Sequence, residues 1–482
     1  MESFGSPYRV GLNPTPYQQK LITPPQPVPS DDVSPLHVSV FYNKTEFIDS
    51  LIVDFDIPVN HQDENGNTAL MVAGYVGNAE AARELLLHNA SKSTLNKYGQ
   101  TAILVALRYG HGNIVSLIIE SLVNPFQTLS TTDSAGYTVL HYAGFCNDEA
   151  LLAKINDLCY VDDMMENNVN PTCSTPLHIA AMNGNDRTVS WLLRRGANPS
   201  AENCMGQSPL LLAIKNSHKE CVDLLLDISP ANVPDNYGQL ALHHAAVGQD
   251  LDILTKVYNR YPDAVNKMDT NGNYPFHHAV KSDNKEILDF FYLSEGANLL
   301  KRKNSNGMTP LMLAVACGAM TSFKYLVAMG ADMYVSSMSG STPFLLASAY
   351  GQMEMVEMLF QKDPSVVADV DTSGNTAAHF AVQNNRLRIL SWLNRVVPEI
   401  VRKANTAGET PMHIACLCGF QQAVENLQTY GLKLTALTNA NRTPFHYAVL
   451  GGHLALVKFL RRNIDTLFFM GDKNKLTPLH YC

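Results

Sequence analysis

The chain has 482 residues, 46% of them apolar and only 16% charged, with a formal net charge of −9. A single hydrophobic core stops growing near ~250–300 residues, so this length calls for several domains or an extended repeat. The acidic balance excludes a general nucleic-acid binder, which needs basic patches to displace counterions from phosphate, and no apolar run reaches the ~18 residues of a membrane span.

Residues 1–30 differ in kind from the rest. Seven prolines fall before Ser30, and "TPPQPVP" at 23–29 is the densest stretch. This composition favours extended polyproline II and predicts a disordered leader. Pro24 and Pro27 give the PxxP spacing that SH3-type grooves accept, and Ser6, Thr15 and Thr23 each precede proline. The leader has no apolar core that could act as a secretory signal. The nine cysteines are odd in number and scattered, and only Cys416 and Cys418 lie close together. They read as reduced, mostly buried thiols of a cytoplasmic or nuclear protein. The Asn-x-Ser/Thr triplets at Asn43, Asn89 and Asn441 have no secretory context and read as chance.

From residue 31 onward one motif recurs: "SPLHVS" at 34, "TALMVA" at 68, "TAILVA" at 101, "TVLHYA" at 138, "TPLHIA" at 175, "SPLLLA" at 208 and "LALHHA" at 240. It continues as "YPFHHA" at 274, "TPLMLA" at 309, "TPFLLA" at 342, "TAAHFA" at 376, "TPMHIA" at 410, "TPFHYA" at 443 and "TPLHYC" at 477. Successive copies lie 32 to 37 residues apart. Each is preceded by a turn such as "DENGNT" or "DTNGNY", with Gly66, Gly136, Gly272, Gly307 and Gly374 at the position where a positive φ is cheapest for glycine. The Thr or Ser caps a first helix, often with Pro next. A second helix follows, apolar at helical spacing as in "GNIVSLII", "KECVDLLL" and "MEMVEMLF". Several units then close on "GAN" or "GAD" at Gly196, Gly296 and Gly330, a helix C-cap.

This grammar resembles the ankyrin repeat, whose ~33-residue period and T-P-L-H-x-A signature it matches over residues 31–482. The resemblance implies an all-α solenoid of about 13 helix-turn-helix units with β-turn fingers. With helix layers ~8–10 Å apart it would form a curved rod on the order of 110–130 Å long. Some units depart from the pattern. Cys173, Asn441 and Lys475 stand where the turn glycine belongs, and Leu240 and Tyr274 replace the capping Thr. The two units near 138–175 are long, with "CYVDDMMENNVNPT" as the enlarged loop. The last unit stops inside its first helix, and the pattern leads one to expect about 27 further residues beyond Cys482.

Nothing in the chain carries a catalytic, cofactor or metal signature: H-E-x-x-H, the P-loop, G-x-S-x-G and the kinase set are all missing. Of the 16 histidines, His37, His141, His178, His243, His277, His379, His413, His446 and His480 fall in one repeated slot. The family resemblance makes them scaffold, hydrogen-bonding within and between turns. His244 and His278 could approach each other as a metal pair, but no carboxylate or thiol completes a ligand set. Cys416 and Cys418 read as packing.

What is left is recognition. In ankyrin-like arrays, turn tips and first-helix ends on the concave face contact partners. Those positions hold Tyr75, Tyr98, Arg108, Tyr109, Tyr137 and Phe145 in the early units, then Met182, Met205 and Tyr237. Aromatic residues and Arg dominate binding hot spots, so the stretch 75–145 is the expected partner site. The expected function is a non-enzymatic interaction scaffold or adaptor for a polypeptide, with no nucleic acid and no membrane insertion in this segment. The alternative is the cytosolic ankyrin domain of a larger channel, acyltransferase, kinase or ubiquitin-ligase adaptor. The identity of the partner and the oligomeric state are not encoded in any motif.

Overall fold

The computed structural model describes residues 33–122, 132–158, 172–230, 232–463 and 469–481. The leader expected over 1–30 and most of the enlarged loop at 159–172 lie outside them. Backbone contacts divide the chain into two compact units, Met1–Ala264 and Val265–Cys482.

The first unit is a row of helix pairs: Pro35–Phe41 with Ile48–Val53, Ala69–Val76 with Ala79–Leu87, Ala102–Arg108 with Gly112–Glu120, and Val139–Ala143 with Glu149–Leu158. Pro176–Asn183 with Asp186–Arg194, Pro209–Lys215 with Lys219–Leu226, and Ala241–Val247 with Leu251–Arg260 complete it. The second unit repeats the plan from Pro275–Ser282 with Lys285–Glu295 to Pro444–Leu450 with Leu454–Asn463, then ends in the 3₁₀ turn Pro478–Tyr481. Among the described residues no helix is long and apolar enough to cross a membrane.

The repeat motif explains each first helix. Thr68, Thr101 and Thr309 accept a hydrogen bond from the backbone N–H three residues on, satisfying a donor that the helix cannot use itself. Two residues after the cap comes the core position. Leu36, Leu70, Ile103, Leu140, Leu177, Leu210 and Leu242 in the first unit are at most 1% exposed, as are Phe276, Leu311, Phe344, Met412 and Phe445 in the second. Each such side chain contributes about 1.5–3 kcal/mol by leaving water. Second helices answer with Leu85, Ile118, Leu192 and Leu225, also at most 1% exposed. No pair could bury these faces alone, so neighbours stack.

The repeated histidine ties one pair to the next. His178 Nδ1 accepts from the Thr175 N–H at 3.1 Å, so the neutral ring carries its proton on Nε2, which donates to the Gln207 carbonyl at 2.9 Å. His141 does the same from Thr138 to the Ser174 carbonyl, and His379 from Thr376 to the Glu409 carbonyl. Where Leu240 and Tyr274 replace the capping Thr, the backbone N–H still reaches the imidazole of His243 or His277, at 3.0 and 3.2 Å. The departure from the motif therefore loses the hydroxyl's bond to the first-turn N–H and keeps the histidine's bond to the N-cap N–H.

Most described fingers are organised by an Asp or Asn three residues before the glycine slot, and Ser337 and Thr438 stand there in two others. Asp269 Oδ1 accepts from the N–H groups of Asn271 and Asn273 at 2.9 and 2.8 Å, and Asn203, Asn304 and Asn405 do the same in their fingers. Successive fingers then pair through their backbones: Lys97 N–H to the Asn65 carbonyl, Ser134 to Tyr98, Thr406 to Ser373. Cys173, Asn441 and Lys475 occupy the glycine slot with φ of 51°, 57° and 62°, as the repeat register requires.

Two features differ from the sequence reading. In the second unit, short turns at Ala297–Lys301, Pro364–Ala368 and Pro398–Arg402 follow the second helix and bury Leu299, Val366 and Ile400. Pro364 and Pro398 start these turns, a signal that was present in the sequence. The other concerns redox state. Cys173 and Cys204 form a disulfide, while Cys146, Cys221, Cys317, Cys416 and Cys418 are free.

Candidate partner-binding surface

The finger bonds decide which side chains are left for recognition. The Asx residue turns inward, the glycine slot faces the next finger, and the residue after the Asx, such as Ser134, Asn236 or Thr406, bonds the preceding finger, which leaves the residue just before the glycine for recognition. Tyr98 and Tyr237 occupy this position in the first unit and are 44% and 54% exposed. Met205 holds the equivalent place and is half-buried, as is Met182 at the end of the helix Pro176–Asn183.

At the ends of the first helices, the early units bring two rings together. Tyr75 and Tyr109 meet edge to face, centroids 4.6 Å apart, and both are half-buried. Arg108, also half-buried, precedes Tyr109. The Tyr109 hydroxyl is buried without a hydrogen-bond partner among the described residues, and burial pushes its pKa up to about 12. A buried phenol lacking an acceptor loses free energy, and an incoming carbonyl or carboxylate would restore it.

Tyr137 requires a correction. It is 7% exposed, packed edge-on against His141 with its hydroxyl 3.4 Å from Thr172 Oγ1, so it fills a gap between fingers and presents little to a partner. Phe145, half-buried, lies 6.2 Å from the ring of Tyr142. Tyr142 itself was not singled out in the sequence, although the x position of "TVLHYA" holds it. Its hydroxyl donates to Asp133 Oδ2 at 2.7 Å and accepts from Gln100 Nε2 at 2.8 Å. Tyr75, Arg108 and Tyr109 therefore form one cluster, Tyr137, Tyr142 and Phe145 another, while Tyr98 and Tyr237 stand on fingers of their own.

The same x position explains His244 and His278. Each is buried and directs Nε2 at the finger Asp of its own repeat, His244 to Asp235 at 3.1 Å and His278 to Asp269 at 2.9 Å. Burial alone would raise these carboxyls. The imidazole and backbone N–H bonds outweigh it and hold Asp235 below the usual range and Asp269 at about 2. Each ring is thus committed to a carboxylate in its own finger, and the His pair is not a shared ligand set. Among the described residues no group of three or more His, Cys, Asp or Glu is arranged to hold a metal ion.

Comparison with known proteins agrees with this architecture. Family models described as ankyrin repeats match residues 19–96, 75–162, 177–264, 248–337 and 394–468, and a further one matches 344–393. The chain is 23% identical over 454 residues to the human transient receptor potential cation channel subfamily A member 1, an alignment covering 93% of this chain and 32% of the channel. It is 31% identical over 162 residues to mouse Rabankyrin-5, covering 33% of this chain and 14% of that protein. Similarity to the mouse B-cell lymphoma 3 protein homolog is 29% over 222 residues, covering 45% of this chain and 49% of that protein. The chain thus spans a third or less of the length of the first two relatives.

Proposed function

The chain belongs to the ankyrin-repeat family, and from that premise we propose that it is a non-enzymatic scaffold that captures a polypeptide on the finger and first-helix face of its first unit. The observation carrying this reading is the Tyr75, Arg108 and Tyr109 cluster. Two rings meet edge to face, the charge of Arg108 acts on Tyr109, and the Tyr109 hydroxyl has no acceptor among the described residues. Such side chains bury large area at modest entropic cost and anchor interfaces. The exposed Tyr98 and Tyr237 extend the surface along the fingers. A cytoplasmic or nuclear setting fits the free thiols at Cys146, Cys221, Cys317, Cys416 and Cys418.

A second reading has its own support: the alignment with the cation channel takes in 93% of this chain and only 32% of the channel. On that reading these repeats serve as the cytosolic ankyrin domain of a larger protein, and the captured polypeptide couples to an effector elsewhere in it.

The test is affinity purification with the wild-type chain beside the Tyr75→Ala/Arg108→Ala/Tyr109→Ala variant, with bound proteins identified by mass spectrometry. The variant is expected to lose its specific partners by more than about tenfold, as removal of hot-spot residues does. Tyr98→Ala/Tyr237→Ala, at exposed positions, is expected to weaken capture with stability unchanged within about 0.5 kcal/mol. Equal recovery of every partner by all three chains contradicts the assignment.

A further inference from the structure

The glycine slot of each finger has a fixed outlook. A Cβ built on Gly99 would lie 2.5 Å from the Ser134 nitrogen, on Gly206 2.9 Å from that of Asn236, and on Gly408 2.7 Å from that of Asn439. Any side chain in this slot therefore faces the second residue of the next finger. Cys173 occupies the slot with φ 51°, and the second residue of the next finger is Cys204, whose N–H donates to the Thr172 carbonyl at 3.0 Å. The two Cα atoms are 5.2 Å apart, inside the span a disulfide bridges without backbone movement.

We propose that Cys173 and Cys204 are a reversible thiol–disulfide staple, operated by a low-molecular-weight or protein dithiol, that locks the repeat lying between their two fingers. Cys204 is exposed and Cys173 half-buried, so a thiolate reaches the bond from solvent. The other described thiols are differently placed. Cys146, Cys221 and Cys416 are buried, and burial pushes the first two up to about 12, which leaves them unreactive. One accessible bond among free thiols fits a regulated linkage better than a disulfide framework.

The chemistry balances within the pair and the reagent. A reagent thiolate attacks Cys204 Sγ, the Cys173–Cys204 bond breaks, and Cys173 leaves as a thiolate that takes a proton. The second thiol of the reagent then attacks the mixed disulfide and releases Cys204. The protein gains two electrons and two protons, and the dithiol becomes its own disulfide. Oxidation by a disulfide such as oxidised glutathione reverses these steps. The staple spans 31 residues and encloses the helices Pro176–Asn183 and Asp186–Arg194. Closing that loop restrains the open state of this repeat. Met182 lies on the enclosed helix and Met205 directly follows Cys204, so the staple sets the rigidity of one stretch of the finger face whether or not that face is the partner site.

The experiment equilibrates the full chain in buffers of graded reduced-to-oxidised glutathione, alkylates, and maps each cysteine by mass spectrometry alongside amide hydrogen exchange. Cys173 and Cys204 are expected to change together in one two-thiol transition, with Cys317, which is exposed, alkylated throughout as the internal control. Reduction is expected to speed exchange over residues 176–194 about a hundredfold, through more frequent local opening. Cys173→Gly restores the residue that suits the positive φ, so it is expected to fold and to exchange at the reduced rate in every buffer. Alkylation of both cysteines under oxidising buffer, or exchange that is the same in reduced, oxidised and Cys173→Gly proteins, overturns the proposal.

Discussion

Acidification from pH 6.5 to pH 4 is expected to unfold the chain, with net uptake of protons by the unfolded state. The cause is the repeated histidine. Burial is the dominant influence on His141, His178, His277 and His413, and it outweighs their hydrogen bonds to backbone carbonyls, pushing each pKa from 6.5 down to about 4. The neutral ring is the form that fits, because Nδ1 must accept from the cap N–H while Nε2 donates to the next repeat. A folded pKa below the unfolded one means that the unfolded chain binds more protons between pH 6.5 and 4, so stability falls as pH falls through that window. Each such histidine withdraws up to about 3 kcal/mol, at about 1.4 kcal/mol per pH unit. Four of them together rival the ~5–15 kcal/mol by which a domain is stable. Below this window Asp269 adds its own loss: its stabilisation is complete above the ordinary carboxyl pKa and disappears as pH falls through about 2. Circular dichroism followed against pH, with denaturant midpoints measured at each step, checks this. A denaturation midpoint independent of pH between 6.5 and 4 contradicts it.

Asp269→Ala is expected to cost about 3–5 kcal/mol, the range for stripping a buried, hydrogen-bonded charge from its partners, while Asp269→Asn is expected to cost about 1 kcal/mol. One oxygen of Asp269 holds the N–H groups of Asn271 and Asn273, and the other holds Asn273 Nδ2 and His278 Nε2. Alanine leaves the two finger amides without that acceptor and removes a buried partner of His278. Asparagine keeps the oxygen that caps the turn, and it is what Asn203, Asn304 and Asn405 use in other fingers. Urea denaturation of the two variants separates turn capping from charge. Equal losses in both would mean that the His278 pairing, not the turn, is the main contribution.

The sequence makes the repeat plan legible because its cues are local. A cap, a proline, a turn glycine and a histidine slot each act within a few residues of themselves, and recurrence amplifies them. Even the irregular positions obeyed the register: Cys173, Asn441 and Lys475 all adopt the left-handed conformation of the glycines they replace. What escaped depends on contacts between a finger and the helix that follows it, or on the adjacent repeat. Tyr137 looks like an exposed finger residue until the next finger supplies Thr172 beside its hydroxyl. The finger carboxylates Asp133, Asp235 and Asp269 were visible as residue types, but their second oxygen acquires meaning only from the x position of the following helix, where Tyr142, His244 and His278 sit. The Cys173–Cys204 bond joins residues nearly one period apart, and seeing it requires knowing where the glycine slot points.

The direct test of a binding face on the fingers and first-helix ends is the hydrogen-exchange footprint of a captured partner on the full chain. Protection is predicted at the ends of Ala69–Val76 and Ala102–Arg108 and across the finger bearing Tyr98. Protection confined to the second helices Ala79–Leu87 and Gly112–Glu120, with those ends and fingers unchanged, would contradict the account.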